Sequence, residues 1–406
     1  MKVGVIGAGY VGLPLSLAAA ASGHSVIVFD IDSKRIDDLS SGKSPVDEIK
    51  SEDLKNYLEK KVLQFVNTAT FLSACEIVVI CVPTPLKEND EPDLSALLDA
   101  AHSAASNMAR GALLINESTS FPGTLREEIA PIFERLRPGE LFHFASSPER
   151  VDPGNQTWNI QNTPRLVSGL SDKATSLARD FYSSFCSTVN VVSSPEVAEF
   201  AKLAENTYRQ VNIALANEYA EMCKVFGINP QEMLDAAATK PFGFTRFRSG
   251  IGVGGHCIPI DPMYLLHKSK KLGYIPKLIN EAQNVNNRRT LSINSMIRRE
   301  INDSKDSLIL LYGLSYKAGV TDLRESPSVE LINSLREEGF KVVWFDEKIE
   351  SWGDDLRVEI KDLDEFDFML LVHFESSEVV NHFVNKSRVV LDATGRIQGH
   401  KKVRAI

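Results

Sequence analysis

The chain reads as an α/β protein in three parts: a doubly wound N-terminal domain, an all-helical central block built on one long helix, and a smaller α/β domain at the C-terminus. Three observations predict this. Over the first ~190 residues, short Val- and Ile-rich runs alternate with helical patterns, as strands buried on both faces and their crossover helices do. From Val197 to Val225 there is no Gly or Pro, and the apolar residues keep helical spacing, which predicts one uninterrupted helix. From about residue 306 the strand–helix alternation returns.

In order along the chain, strands are predicted at Lys2–Gly7, Ser25–Asp30, Ile77–Val82 and Ala112–Glu117, with helices at Val11–Ser22 and Leu94–Asn107 between them. Further helices are expected over about 230–240 and 276–303. The last part should hold strands at Leu308–Tyr312, Lys341–Phe345, Asp367–His373 and Arg388–Leu391, and a helix at Ser328–Glu338. The expected domains are 1–192, 193–303 and 304–406, the middle one serving as a dimer core.

Composition bounds the function. At 406 residues the chain is too long for one ordinary domain. Its net charge of −9 argues against a general nucleic-acid surface. No apolar run approaches the roughly 18 residues of a membrane span, and Met1-Lys2 leads straight into a strand, so neither membrane insertion nor a leader is expected. The five cysteines are scattered without a CxxC pair; no metal site or disulfide framework is expected, and a reducing cytoplasm suits them.

Gly7, Gly9 and Gly12 follow the first strand and open a helix, the context in which GxGxxG binds a dinucleotide. Gly7 permits the tight turn, Gly9 the approach of the pyrophosphate, and Gly12 close helix–strand packing. Tyr10 and Val11 lie in the same turn. Asp30 ends the next strand, where a carboxylate binds the ribose 2′-hydroxyl. With Asp32 it should repel a 2′-phosphate and favour NAD, whereas Arg35 offers a guanidinium that such a phosphate would accept. A Rossmann fold holding a flavin or nothing is the alternative. Pro83-Thr84 and Ser118-Thr119 follow later strands and should face the same crevice, unless they are ordinary turns.

Cys257 is the singular thiol. Cys75, Cys81, Cys186 and Cys223 sit in or beside apolar elements, as small buried hydrophobes do. Cys257 instead follows Gly250, Gly252, Gly254 and Gly255 and precedes two prolines. Such a loop is expected to expose N–H groups that lower a thiol pKa and bind an anion. His256 is a poor candidate base, because adjacent residues in an extended loop point apart. Lys202 and Asn206 share a helix face at i,i+4, suited to stabilising an oxyanion or holding a water; a solvated face is the plainer reading. Glu149 is a candidate base, or merely a loop carboxylate.

Together these segments resemble the nucleotide-sugar 6-dehydrogenases that act on UDP-glucose, UDP-N-acetylglucosamine and UDP-N-acetylmannosamine. The resemblance runs through VGVIGAGYVGLPL at the start, CVPTP at 81–85, EST at 117–119, SPERVDPGN at 147–155, EFAKLAENTYRQVNIALANE at 199–218, GVGGHCIPIDP at 252–262 and YGLSYKAGVTDLRESPS at 312–328. It implies an NAD-binding Rossmann domain, a helical dimerisation domain and a Rossmann-like UDP-binding domain, in a homodimer or higher homo-oligomer. It implies that Cys257 is the nucleophile and that Lys202, Asn206 and Asp261 stabilise or relay charge at the sugar C6, Asp261 by holding Lys202 or a water. Glu149 would serve hydrolysis and Thr119 would hold the water. Arg150, Val151, Arg246, Arg248, Gly254 and Lys317 are the further expected substrate contacts, and Arg324 a cofactor contact. The implied reaction is a four-electron oxidation of a UDP-sugar by two NAD, through a thiohemiacetal and a thioester.

SPERVDPGN resembles the N-acetylhexosamine branch, and within it favours UDP-N-acetylglucosamine, with UDP-N-acetylmannosamine and UDP-glucose as alternatives. The segment Lys240–Arg248, with its three phenylalanines and two arginines, departs from the branch patterns and bears on the choice of sugar. Two rival readings remain: a β-hydroxyacid or acyl-CoA dehydrogenase, which would need neither Cys257 nor the last domain, and an inactive NAD-binding scaffold.

Overall fold

The computed structural model describes residues 1–46, 49–152, 155, 157–359, 365–397 and 399–406. Packing gathers the chain into two compact units, 1–205 with 263–274 and 206–262 with 275–406, so the segments of the expected helical block are shared between them.

The N-terminal unit holds strands β1 (Lys2–Ile6), β2 (Ser25–Phe29), β3 (Leu63–Val66), β4 (Ile77–Ile80), β5 (Leu113–Asn116), β6 (His143–Ser146), β7 (Arg165–Gly169) and β8 (Val189–Val191). They form one sheet in the order β3-β2-β1-β4-β5-β6-β7-β8. The first six are parallel, and β7 runs antiparallel to β6. The order 3-2-1-4-5-6 is that of a dinucleotide-binding sheet, with its crevice between β1 and β4 where the winding reverses. Alternation along each strand feeds two cores. Val3, Val5, Ile77 and Val79 pack on one face with Leu13 and Phe181, whereas Ile6, Val78 and Ile80 pack on the other with Leu97 and Phe133.

The C-terminal unit carries β9 (Leu308–Tyr312), β10 (Lys341–Phe345), a two-residue ribbon β11 (Ser351–Trp352) and β12 (Asp355–Leu356), then β13 (Phe366–Leu371), β14 (Ser387–Asp392) and β15 (Val403–Ala405). Its main sheet, β10-β9-β13-β14-β15, is entirely parallel. The gap-free stretch is a single helix, Pro195–Phe226, slightly longer than predicted. Helix Lys277–Glu300 packs along its later part through polar groups: Gln210 donates to Gln283 at 2.7 Å, Asn286 to the Gln210 carbonyl at 3.1 Å, and Asn217 to Asn286 at 3.2 Å. Several helices were not named in the sequence reading, among them Ser33–Ser40, Ser51–Glu59, Asp172–Ser183, Ser377–Lys386 and, directly after the cysteine loop, Asp261–Lys271. No helix among the described residues is long and apolar enough to cross a membrane.

One buried acid ties the long helix to the sheet loops. Glu199 is 1% exposed and accepts from the Gly123 and Leu125 N–H groups at 2.7 and 3.1 Å. Burial nevertheless pushes its pKa up to about 8, from an ordinary 4.5. A carboxyl raised on folding stabilises the native state fully below its unfolded value and loses that contribution as pH climbs through its folded value. Urea unfolding should therefore show wild-type stability falling between about pH 5 and pH 9 relative to Glu199→Gln. Parallel curves for the two proteins would show that Glu199 does not carry this dependence.

Candidate active site

In the N-terminal unit the glycine turn has the geometry that a pyrophosphate needs. Gly7 has φ +104°, and a Cβ there would lie 2.3 Å from the Cys81 carbonyl oxygen; a Cβ on Gly12 would lie 1.9 Å from the Gly7 oxygen. These two glycines are demanded by packing. Gly9 differs, since its Cβ would meet nothing within 4 Å: the space above it is open. Helix Gly12–Ala21 begins beside it with no side-chain cap and no acidic residue in its first turn, so its N–H groups can serve a phosphate. Tyr10 is 42% exposed at the rim of the turn.

Asp30 is buried at the end of β2. Its Oδ2 accepts from the Ala8 N–H at 2.8 Å and from Arg35 Nη1 at 3.0 Å, and its Oδ1 from the Asp32 N–H at 3.0 Å. The carboxylate thus braces the glycine turn and keeps an acceptor position on Oδ1 for a ribose hydroxyl. Arg35 also lies 3.7 Å from Asp32, so two carboxylates neutralise the guanidinium that would otherwise attract a 2′-phosphate. The residues fit NAD.

Beyond β4 and β5 the predicted loop residues are held by backbone. Ser118 Oγ accepts from the Val82 N–H and donates to the Val82 oxygen, both at 2.9 Å, so this hydroxyl staples the two strand ends together. Pro83 precedes Thr84, which is 2% exposed and whose carbonyl accepts from Tyr264 at 2.9 Å. Thr119 Oγ1 accepts from Lys202 Nζ, joining the loop to the long helix through a lysine that is only 7% exposed. Glu149 Oε1 accepts from the Arg150 and Val151 N–H groups at 2.6 and 2.7 Å, and its Oε2 from Arg165 at 2.6 Å. Its pKa lies below the ordinary carboxylate value: burial raises it, and Arg165 with the two N–H donors more than offsets that. The Arg150 guanidinium is engaged by Glu205 and by the Pro164 carbonyl, the latter at 2.7 Å. Pro153 and Gly154 of the SPERVDPGN block lie outside the described residues.

In the C-terminal unit the cysteine loop is built against the block at 312–328. A Cβ on Gly254 would lie 2.6 Å from the Glu325 oxygen and 2.8 Å from Pro327; on Gly255, at φ +84°, it would strike the Tyr316 ring at 2.8 Å. Further back, Asn217 accepts from the Gly250 N–H at 2.9 Å while Arg289 donates to the Gly250 oxygen at 2.8 Å, clamping both backbone groups of one residue. The run so held presents Cys257, the exposed cysteine of the five; the other four are buried. The Cys257 oxygen accepts from the Asp261 N–H at 2.9 Å, and Asp261, 1% exposed, accepts from the Asn206 amide at 2.6 Å. The amide of Asn206 is thus a partner that the sequence reading did not assign to Asp261.

A cavity of about 270 Å³ opens at the carboxyl ends of β9, β13 and β14, lined by Arg248, Gly254, Ser315, Lys317, His373 and Arg396 among others. This edge of a parallel sheet is where ligands bind, and three cationic side chains suit a phosphate. Arg246 is committed elsewhere, to Asp235 at 2.6 Å and Gln231 at 3.1 Å, and Arg324 is paired with Asp322 at 2.6 Å.

These two ligand edges and the single presented thiol agree with what the chain is similar to. Residues 1–186, 196–288 and 310–395 match, in that order, the NAD binding, central and UDP binding domains of the UDP-glucose/GDP-mannose dehydrogenase family. The chain belongs to this family. It is an NAD-dependent nucleotide-sugar dehydrogenase. Among its relatives, the UDP-N-acetyl-D-glucosamine 6-dehydrogenase of Pseudomonas aeruginosa is 35% identical over 85% of this chain and 82% of its own. The UDP-N-acetyl-D-mannosamine dehydrogenase of Pyrococcus horikoshii is 36% identical over 90% and 88%. The solved structure of the Pyrococcus horikoshii enzyme superposes with a TM-score of 0.89 at 32% identity, over 100% of this chain and 99% of that one. The UDP-N-acetyl-mannosamine dehydrogenase of Staphylococcus aureus gives 0.86 at 27% identity, over 100% and 97%.

The sequence reading missed several residues of the dehydrogenase that hold its site: Arg165, Tyr182, Asn217, Arg289 and Asp346. Only Asp346 had a legible signal, since Phe345-Asp346 ends a strand as Phe29-Asp30 does.

Gly9→Ala tests the nucleotide turn cleanly. Its Cβ meets no protein atom, so thermal stability should be unchanged. Displacing the pyrophosphate from one or two N–H groups should weaken NAD by about 10- to 100-fold in calorimetry. Unaltered NAD affinity would mean that the cofactor does not lie over this turn.

Proposed function

We propose that this dehydrogenase oxidises the C6 hydroxyl of a UDP-N-acetylhexosamine to the carboxylate, with UDP-N-acetylglucosamine the preferred sugar. The observation that carries the mechanism is Cys257, an exposed thiol on a glycine run clamped at Gly250 and packed against Tyr316 and Pro327. NAD, when bound, supplies the hydride acceptor for both oxidations. The Cys257 thiolate adds to the C6 aldehyde left by the first, because a tetrahedral adduct donates hydride where a bare aldehyde does so poorly. Lys202 and Asn206 stabilise the oxygen that gains negative charge, with Asp261 orienting the Asn206 amide. Removal of the second hydride leaves a thioester. Glu149 then takes a proton from water, the water oxygen bonds to C6, the carbon–sulfur bond breaks, and Cys257 departs as thiolate. Thr119 orients that water.

The N-acetylhexosamine class is supported by relatives named for UDP-N-acetylglucosamine and for UDP-N-acetylmannosamine, and the preference for UDP-N-acetylglucosamine by the SPERVDPGN loop. Arg248, Gly254 and Lys317 would meet the UDP moiety or sugar, with Arg150, Val151 and Arg246 as further substrate contacts, and Arg324 would meet the cofactor, after rearrangement of their present pairs. The division 1–192, 193–303 and 304–406 separates NAD binding, dimerisation and UDP binding. A homodimer is supported by the long helix, on which Tyr208, Leu215 and Met222 recur at seven-residue spacing and are 53, 40 and 46% exposed. Action in the cytoplasm fits the scattered cysteines, which include no CxxC pair.

NADH absorbance with a panel of UDP-N-acetylglucosamine, UDP-N-acetylmannosamine, UDP-N-acetylgalactosamine and UDP-glucose should give two NADH per sugar and the highest kcat/KM for the first. A clear preference for another sugar would overturn the specificity and leave the chemistry standing. Cys257→Ser should bind NAD normally and form no uronic acid; full acid production by that variant would sink the thioester mechanism.

A further inference from the structure

We infer that Arg165 is the positioning residue of the hydrolytic step: it orients the Glu149 carboxylate and supplies its counter-charge, while Glu117 and Tyr182 hold Arg165 for that task. The inference rests on the hydrolytic role proposed above for Glu149.

The reversal of one strand creates the arrangement. β7 pairs with β6 in antiparallel register, Ala145 opposite Gly169 and Ser146 opposite Ser168. Carried past the last paired residues, that register sets Glu149 against Arg165. Glu117 follows β5, whose Asn116 is the parallel neighbour of Ser146. Three adjacent strands therefore bring two carboxylates and one guanidinium to the ligand-binding edge of the sheet. Their side chains are 0, 12 and 4% exposed for Glu117, Glu149 and Arg165.

The guanidinium treats its two acids differently. It makes an aligned hydrogen bond of 2.6 Å to Glu149 Oε2. It lies 3.0 Å from Glu117 Oε2 but off the hydrogen-bonding direction, and that oxygen has no donor among the described residues. Burial pushes Glu117 up to about 7, against the pull of Arg165. A proton on Glu117 would leave one positive and one negative charge in the cluster, with the positive charge committed to Glu149. Tyr182 fixes the assembly from below: its hydroxyl donates to Glu117 Oε1, and its ring lies 4.9 Å from the guanidinium carbon. A buried charge cluster of this kind is a poor way to gain stability, since apolar side chains of similar volume would serve as well or better. What it does secure is the direction of Glu149. With three donors on that carboxylate, the remaining acceptor position on Oε2 is the one left for a water.

The test compares Arg165→Met, Arg165→Lys and Glu149→Gln with the wild type. Three readouts are needed: the rapid-mixing NADH burst, intact mass for acyl enzyme on Cys257, and the pH profile of kcat. Arg165→Met should keep a burst of two NADH per active site, accumulate the acyl adduct and lower kcat by about 10-fold or more. Its acid limb should move up by about one to three pH units, because Glu149 loses its positive partner; Arg165→Lys should restore part of both changes. A purely structural loss would lower burst and steady state together, with no adduct and an unmoved acid limb, and that result overturns the inference. If Arg165→Met does not fold, Arg165→Lys decides. The shorter ammonium keeps the buried charge but cannot reproduce the aligned guanidinium bond to Glu149, so the acyl adduct should still accumulate and kcat should still fall; wild-type hydrolysis with no adduct overturns the inference. Glu149→Gln hydrolysing at the wild-type rate would instead remove the role of Glu149 itself, an outcome read independently of Arg165.

Discussion

A buried aspartate at the end of the second strand fixes the glycine turn after the first, and the chain uses this device in both of its large sheets. In the N-terminal unit the Gly7 N–H reaches the Phe29 oxygen at 2.8 Å and the Ala8 N–H reaches Asp30 at 2.8 Å. In the C-terminal unit the Gly313 N–H reaches the Phe345 oxygen at 2.8 Å and the Leu314 N–H reaches Asp346 at 2.8 Å. Gly7 and Gly313 share nearly the same φ, +104° and +105°. The constraint is simple: a turn that leaves a parallel strand in a left-handed conformation exposes N–H groups, and a carboxylate on the neighbouring strand satisfies them. Everything that binds at the carboxyl edge of either sheet depends on that turn being fixed.

What the two sheets do with the device differs. Asp30 takes a further donor from Arg35, which silences a cation near the ribose position. Asp346 instead takes the Ser315 N–H at 3.2 Å, and His373 stands 3.9 Å away beside a cavity rich in cationic side chains. One turn thus fits a dinucleotide with free ribose hydroxyls, and the other opens on a pocket suited to a phosphate.

The cysteine loop shows how distant sequence blocks become one structural piece. Glycines at 252, 254 and 255 look like a flexible run when read along the chain. In the fold each one lies where a Cβ would strike Pro327, Glu325 or Tyr316, so the run is closely packed. Gly250 is held differently, through its backbone, by Asn217 and Arg289 from two helices. Rigidity imposed from outside, through glycine's lack of a side chain, is what lets a thiol be presented at a fixed place.

Much of the fold was legible because it rests on local pattern. The Val- and Ile-rich strands, the long uninterrupted helix and the glycine turn all follow from short-range rules, and they appear within a residue or two of their predicted bounds. The short strands β3, β6, β7 and β8 were not foreseen, since four or so residues with polar members carry no period that distinguishes them from loops. Helix Asp261–Lys271 was hidden by Pro259 just before it and Pro262 in its first turn. Cys257 stood out by contrast with its buried fellows, and Asp30 by its place after a strand.

By itself the sequence determined the α/β class, the nucleotide turn and the singular thiol, because each is written in residues close together along the chain. Only the tertiary structure decided what those residues are held by. The Arg165 bond to Glu149 exists because one strand runs backwards, the Asp261 bond to Asn206 because two helices meet, and the packing of Gly254 because a loop some seventy residues onward lies against it. Pairings of this kind carry no local signature: a charged or polar side chain looks the same along the chain whether solvent or a buried partner awaits it.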